Sequence, residues 1–373
     1  MIWNPAITMK NFQQPPISDT IARKYQNEHI DMQDLNQAIV ASVQPSHAQI
    51  RAISLFENLN ESEYEQISNG LVCRHIPRGS YLFHQGLKAD SAFFVQSGFL
   101  DVASMLPGGD ENILASLGPG SVIGETSLIS TGIRSASVRA KSDVIGFTME
   151  RQFFLGLIAQ AHTAASRILA QLIKILCERL HSQYAHTIEI EQSSEQLMPC
   201  HNASGYGPRL DDIAVSSVFP YRQYLPRLDF FSNFRIDEID FLETHVHCLE
   251  LPRGTLLFEK DEVAIACYFV VRGALELFIS GTDRHVPLIV LGPGKFLGTT
   301  DIITGDMRVA CARAREDVVL LEIGAGTLRQ LLSAQSLLAV KFQHCLCESL
   351  VVDLGMSNKR AARIARGMGA QGN

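Results

Sequence analysis

From residue 52 the chain reads as short alternations. A helical opening, SLFENLNESEYEQISNGL, leads into VCRHI, SYLFHQ, SAFFVQ, FLDVASML and ENILASL, in which apolar and polar side chains take turns. A period of two puts successive side chains on opposite faces of a strand, one face to the core and one to water. Gly, Pro and Asp interrupt the run every ~8–12 residues, the spacing of a small antiparallel barrel or jelly roll. After SASVRA and DVIGFTM the period lengthens to that of helices. The longer of two helical stretches runs from about Thr163 to His186, and its Leu169, Ile173, Leu176 and Leu180 recur at spacings of four and three as one apolar stripe.

The pattern then stops and starts again. Residues 189–226, with EQSSEQLMPCHNASGYGP, are polar and rich in turn formers and read as a linker. Beyond it, LFENL at 55 returns as FFSNF at 230, and IPRGSYLF at 76 returns as LPRGTLLF at 251. FFVQSGFLDV at 93 returns as YFVVRGALEL at 268, and LGPGSVIGETSLISTGIRSA at 117 returns as LGPGKFLGTTDIITGDMRVA at 291. A repeat at an offset of 175, then 174, means two copies of one domain. The expected fold is therefore mainly β with α: two tandem β-jelly-roll barrels, each with flanking and closing helices. The copies take residues 47–188 and 227–356. Residues 1–46, polar and punctuated by Pro15, Pro16 and Pro45, are expected to be a largely disordered tail with one weakly helical piece around 31–43. Residues 357–373 form a basic tail with Lys359, Arg360, Arg363 and Arg366 on one helical face.

The stretch GETSLISTGIRSASV, residues 124–138, carries the chemistry. Gly124 permits a tight exit from a strand, and Thr126 and Ser127 open a helical turn whose first N–H groups are unpaired and favour an anion. Arg134 returns on the next strand with a planar fork suited to phosphate oxygens. Ser135 adds a hydroxyl, and Ala136 leaves room. Glu125 would repel a bare phosphate, so it needs another reason; a carboxylate beside a phosphate site commonly accepts a ribose hydroxyl. Phosphate and ribose side by side describe a small nucleotide.

IGETSL…IRSASVRA resembles the phosphate-binding cassette of cyclic nucleotide-binding domains, the jelly-roll modules of the bacterial catabolite activator family and of kinase regulatory subunits. The resemblance spans residues 52 to about 186 and, more weakly, 227–355. It implies that Glu125 takes the ribose 2′-hydroxyl and that Arg134 holds the cyclic phosphate with Ser135 and the cassette backbone. It also implies base contacts from the closing helix, at Gln183 and Tyr184. Gln183 continues the stripe of Leu169 to Leu180 with a polar head, which fits that role and fits equally the plain end of a stripe. The implied ligand is cAMP, with cGMP as its competitor.

The second copy keeps Gly298 and Arg308 but has Thr299 in place of Glu125 and Val309 in place of Ser135, and it sets Asp301 near the presumed phosphate. Losing two charge-assisted contacts of about 1.5–3 kcal/mol each favours a degenerate site there.

The totals narrow the function. At 373 residues, 46% hydrophobic and with formal net charge −7, the chain can bury a large core and carries no general basic field for nucleic acid. No apolar run approaches the ~18 residues of a membrane span, and the start lacks a signal-peptide pattern. Eight scattered cysteines without a C-x-x-C pair read as reduced thiols of a cytoplasmic protein, and His245/His247, on an expected strand, have no third ligand for a metal. No catalytic constellation stands out, so no enzyme is expected. A transcription regulator would need a helix-turn-helix module after the closing helix, and the basic inhibitory segment of a kinase regulatory subunit is not visible before Leu55. The expectation is a cytosolic cyclic nucleotide sensor without specific DNA binding, which switches a protein partner as the 163–186 helix closes over the base. A homodimer through that helix is one way to cover its stripe.

Overall fold

The computed structural model describes residues 44–105, 111–193, 207–212, 219–281 and 284–369. The expected tail of residues 1–46 therefore lies almost wholly outside the described residues, as does much of the linker.

The first module opens with α1 (His47–Arg51), a 3-10 turn at Ser54–Phe56 and α2 (Glu61–Ser68). Ser46 and Asn60 start the two α-helices with capping boxes, each side chain accepting from the backbone N–H three residues on. Ten strands follow: β1 (Leu71–Ile76), β2 (Tyr81–Phe83), β3 (Lys88–Ala89), β4 (Ser91–Ser97), β5 (Leu100–Met105), β6 (Glu111–Leu117), β7 (Val122–Ile123), β8 (Gly132–Ile133), β9 (Ser137–Ala140) and β10 (Val144–Glu150). They pair antiparallel as β1-β10-β4-β7 and β2-β9-β5-β6, with β3 and β8 as a short ribbon. Two helices close the module, α3 (Arg151–Ala159) and α4 (Thr163–Ser193). Between them Ala161 sits at φ 48°, and the helix axes meet at a bend of 115°. A left-handed residue with a side chain costs about 1 kcal/mol, so this corner is a strained joint.

The second module repeats the plan. It has α5 (Ile236–Glu243), β11 (His247–Leu251), β12 (Leu256–Phe258), β13 (Ala266–Arg272), β14 (Leu275–Gly281), β15 (Arg284–Leu291), β16 (Phe296–Leu297), α6 (Thr299–Thr304), β17 (Cys311–Ala314), β18 (Val318–Gly324), α7 (Ala325–Ser333) and α8 (Leu337–Gly369). Its sheets run β11-β18-β13-β16 and β12-β17-β14-β15, the order of the first module strand for strand. Each module is thus a jelly-roll arrangement of two facing four-stranded sheets rather than one continuous ring.

Several sequence expectations shift. Helix α4 continues to Ser193, about two turns past His186, because nothing between them breaks a helix. The segment expected as a basic tail continues α8 to Gly369. His245 lies in the turn after α5, its N–H donating to Leu242, and only His247 belongs to a strand.

The core explains why two copies stay together. One apolar cluster runs from Ile50, Phe56 and Phe94 through the stripe of α4 to Phe230, Phe269 and Phe342 of the second module. Leu169, Ile173, Leu176 and Leu180 are at most 1% exposed. Their cover comes largely from α8, which lies parallel to α4. Ser166 Oγ donates to Gln343 Oε1 at 3.1 Å, Cys347 Sγ lies 3.7 Å from the Leu169 carbonyl, and Gln183 Nε2 donates to Asn358 Oδ1. The stripe that offered a homodimer surface is therefore covered within one chain. Between the facing sheets sit separate cores, a small one in the first module around Phe93, Val95 and Val138 and a fuller one in the second around Leu257, Leu277 and Leu320. Cys73, Cys177, Cys267, Cys345 and Cys347 are buried free thiols; burial pushes those of Cys267 and Cys345 up to about 12.

Because α4 belongs to the core of both modules, Leu176→Ala should lower the unfolding free energy by about 2–4 kcal/mol. In urea, the variant's circular dichroism transition should shift to lower concentration for both modules together.

Candidate functional site

Gly124 is the hinge of the cassette. It adopts φ 73°, ψ 28° at the start of the 3-10 turn Glu125–Leu128. A Cβ there would fall 2.2 Å from Arg134 Nη1, so glycine is required for both conformation and space. The chain returns through β8 and delivers Arg134 beneath the turn.

Arg134 is 7% exposed. Its Nη2 donates to the Ser91 carbonyl at 2.8 Å and to Ser91 Oγ at 3.2 Å, and its Nη1 donates to Ser127 Oγ at 3.1 Å. The guanidinium carbon stands 3.5 Å from the centre of the Phe83 ring, and Nε has no partner. Among the described residues, every oxygen that accepts a hydrogen bond from it is neutral. Burial pulls its pKa below the usual arginine value, with Asp90 and Glu150 pulling the other way at longer range. An ionised group held in this way, fixed but without a counter-charge, is poised for an anion.

Glu125 is 5% exposed and forms an ion pair with Arg179 of α4. Gly124, Glu125, Thr126, Ser127, Arg134, Ser135 and Ala136 all line one cavity of about 750 Å³. Its far wall comes from the second module: Val352, Met356, Asn358 and Lys359 of α8.

Seven of the nine first-site residues expected from sequence therefore meet in one place. The other two do not. Gln183 hydrogen-bonds Asn358, and Tyr184 lines a different cavity of about 530 Å³ with Leu288 and Met356. Burial, with Asp353 and Asp301 nearby, pushes the Tyr184 phenol up. Sequence reasoning missed Phe83, Ser91, Arg179 and the α8 wall. Phe83 had a signal, since Phe258 repeats it at the offset of 175. Arg179 lies one helical turn before Gln183 and faces the site from the same helix.

The second cassette is built alike. Gly298 has φ 77°, ψ 11°, and Arg308 is 2% exposed with its guanidinium 4.1 Å from the centre of the Phe258 ring. Its Nη2 donates to the Ala266 carbonyl, the counterpart of Ser91, and its Nη1 donates to the Gly298 carbonyl at 3.1 Å. Thr299 is buried, and Val309 packs against the inter-sheet core. Among the described residues no group of three or more His, Cys, Asp or Glu is placed to hold a metal.

Residues 73–161 and 248–335 match the family model of the cyclic nucleotide-binding domain. The chain carries two cyclic nucleotide-binding domains in tandem. The first resembles the cyclic AMP receptor protein of Thermus thermophilus, 34% identical over 124 residues that make up 33% of this chain and 57% of that protein. A CRP-like cAMP-activated global transcriptional regulator of Mycobacterium tuberculosis is 28% identical over 126 residues, 34% of this chain and 54% of its own length. The human cGMP-dependent protein kinase 2 is 29% identical over 107 residues, 28% of this chain and 14% of the kinase. The match thus spans about half the length of the two bacterial relatives. Among solved structures, the regulatory domain of Toxoplasma gondii PKA with cAMP aligns over 78% of this chain and 91% of that one, at 15% identity and a TM-score of 0.29. No single helix among the described residues is long and apolar enough to cross a membrane; α3 and α4 pass that test only as a bent pair, and both contribute to the buried core.

Gly124→Ala should push the Arg134 guanidinium out of its seat and strain a left-handed residue, costing about 1–2 kcal/mol. Thermal unfolding of the purified variant should show a lower midpoint than wild type.

Proposed function

We propose that this chain is a cyclic nucleotide sensor that binds one ligand, in the first module, and acts on a protein partner rather than on a substrate of its own. The observation that carries the reading is Arg134: a buried guanidinium with a free Nε and only neutral acceptors, facing a cavity of about 750 Å³ that also holds Glu125. A cyclic phosphate supplies the missing charge, and Ser127 and Ser135 add hydroxyl contacts. A ribose hydroxyl donates to Glu125. That carboxylate is engaged by Arg179, so the ligand must share or displace this ion pair, and the change is felt directly by α4. The corner at Ala161 is where α4 can swing.

The base lies toward α8. In place of Gln183 and Tyr184, the groups in reach are Arg179 and, from the second module, Asn358 and Lys359. cAMP is the favoured ligand on the strength of the RSASVRA cassette and of the cAMP named in the two bacterial relatives; the kinase relative names cGMP. The buried thiols agree with a reducing cytosol. The acidic net charge of −7 argues against DNA as the partner.

Isothermal titration with cAMP and with cGMP tests this. Wild type should take one cAMP per chain and prefer it to cGMP by about 10-fold, or ~1.4 kcal/mol. Arg134→Ala should weaken binding by about 100-fold or more, the cost of losing a charge-assisted phosphate contact. Two equivalent sites, or binding that survives Arg134→Ala and is lost in Arg308→Ala, would overturn the assignment.

A further inference from the structure

The two cassettes differ at one position that decides what each arginine faces. Where the first module has Ser127, 3.1 Å from Arg134 Nη1, the second has Asp301, whose Oδ2 lies 3.0 Å from Arg308 Nη1. Asp301 is 5% exposed and Arg308 is 2% exposed, so this is a fully desolvated ion pair. Four further features of the seat are shared by both modules: an aromatic ring under the guanidinium, a strand carbonyl on Nη2, a left-handed glycine above, and an Nε without a partner; Arg134 also meets Ser91 Oγ and Arg308 the Gly298 carbonyl.

We infer that Asp301 is a built-in anion: its carboxylate takes the place that a phosphate would take on Arg308, and it keeps the second module permanently in the occupied state. The surroundings agree. The turn that is 3-10 in the first cassette, Glu125–Leu128, is a full α-helical segment in the second, Thr299–Thr304, closed by the left-handed Gly305. The space between the sheets, a cavity beside Val102 and Val138 in the first module, is packed around Leu277 and Ala312 in the second. The occupied cassette also reaches α4, because Asp306, one residue past Gly305, pairs with His181 Nδ1 at 2.6 Å. Helix α4 thus leans on a cassette that can be emptied, through Arg179, and on one that cannot, through His181. The chain then reports occupancy of the first module alone, with the second as a fixed reference.

The test uses inorganic phosphate and thermal unfolding, in an Arg134→Ala background so that phosphate at the first module contributes nothing. Asp301→Ser, which restores the residue of the first cassette, should lower the unfolding midpoint, and phosphate should raise it again in the variant but not in the parent. Should Asp301→Ser fail to fold, Asp301→Asn keeps the shape without the charge and is judged by the same phosphate response. A phosphate response equal in variant and parent, or a variant as stable as the parent, overturns the inference. The reverse exchange rests on the proposed nucleotide site: Ser127→Asp in an otherwise wild-type chain should weaken cAMP binding by about 100-fold or more while raising the midpoint without ligand. Unchanged affinity in Ser127→Asp also overturns it. Absence of cAMP binding by wild type would instead sink the proposed nucleotide site, and the phosphate experiment would still decide the role of Asp301.

Discussion

A guanidinium taken out of water must find charge or hydrogen bonds, and both modules are organised around that demand. Arg134 and Arg308 are each fixed by a strand carbonyl, an aromatic ring and the turn above them. Hydrogen bonds to neutral oxygens orient such a group without neutralising it, whereas a buried carboxylate does both. The first cassette stops at orientation and so leaves a use for an external anion. The second goes on to neutralisation. One side chain, Ser127 or Asp301, separates a site that waits from a site that is full.

That difference matters because α4 touches both. Its Arg179 meets the first cassette and its His181 the second, while its apolar stripe is sealed against α8. A packed seam does not deform continuously; it shifts between discrete arrangements. A ligand can bias such a seam only by its differential affinity for the two arrangements, and under the proposed function the Glu125–Arg179 pair is where that differential would arise, since a ribose hydroxyl and Arg179 would share one carboxylate. The α8 wall of the cavity closes the loop: the helix that packs on α4 also lines the cavity of the first cassette.

Much of this was legible in the sequence because it is local. Strand alternation, the repeat offset, Gly124 with its strained turn, and the placing of Glu125 and Arg134 on one cavity all sit within short windows where spacing dictates geometry. The apolar stripe of α4 was also legible, yet what covers it was not, since a stripe states that a partner exists and not whether the partner is in the same chain. The wall of the cavity stayed hidden for the same reason: Asn358 and Lys359 come within reach of Glu125 only after both modules have packed. The base contacts expected at Gln183 and Tyr184 assumed a closing helix that works alone. With a second helix parallel to it, those residues turn into the seam, and Arg179, a turn earlier, takes the position facing the cassette. The boundaries of α4 and α8 were set short because polar residues read as linker and tail, while helix propensity and a packed neighbour carry both helices on.

Two copies of one domain in a single chain need not do the same thing, and joining them changes what each can afford. Two separate modules that dimerised through a closing helix would present two identical cassettes, and every intermediate state of filling would be populated. Joined in one chain, the copies are free to diverge, and a substitution that fills one cassette with its own carboxylate reduces four occupancy states to two. On the inference above, the buried pair of Asp301 and Arg308 satisfies the second cassette without any ligand, so that module would not depend on the signal. Under the proposed function, the first module, with its sparser inter-sheet core and an unneutralised arginine, is the half whose stability would rise when ligand arrives. Placing the fixed half against α4 means that the free energy of binding goes into moving one element relative to a rigid base, instead of being spread over two half-ordered modules.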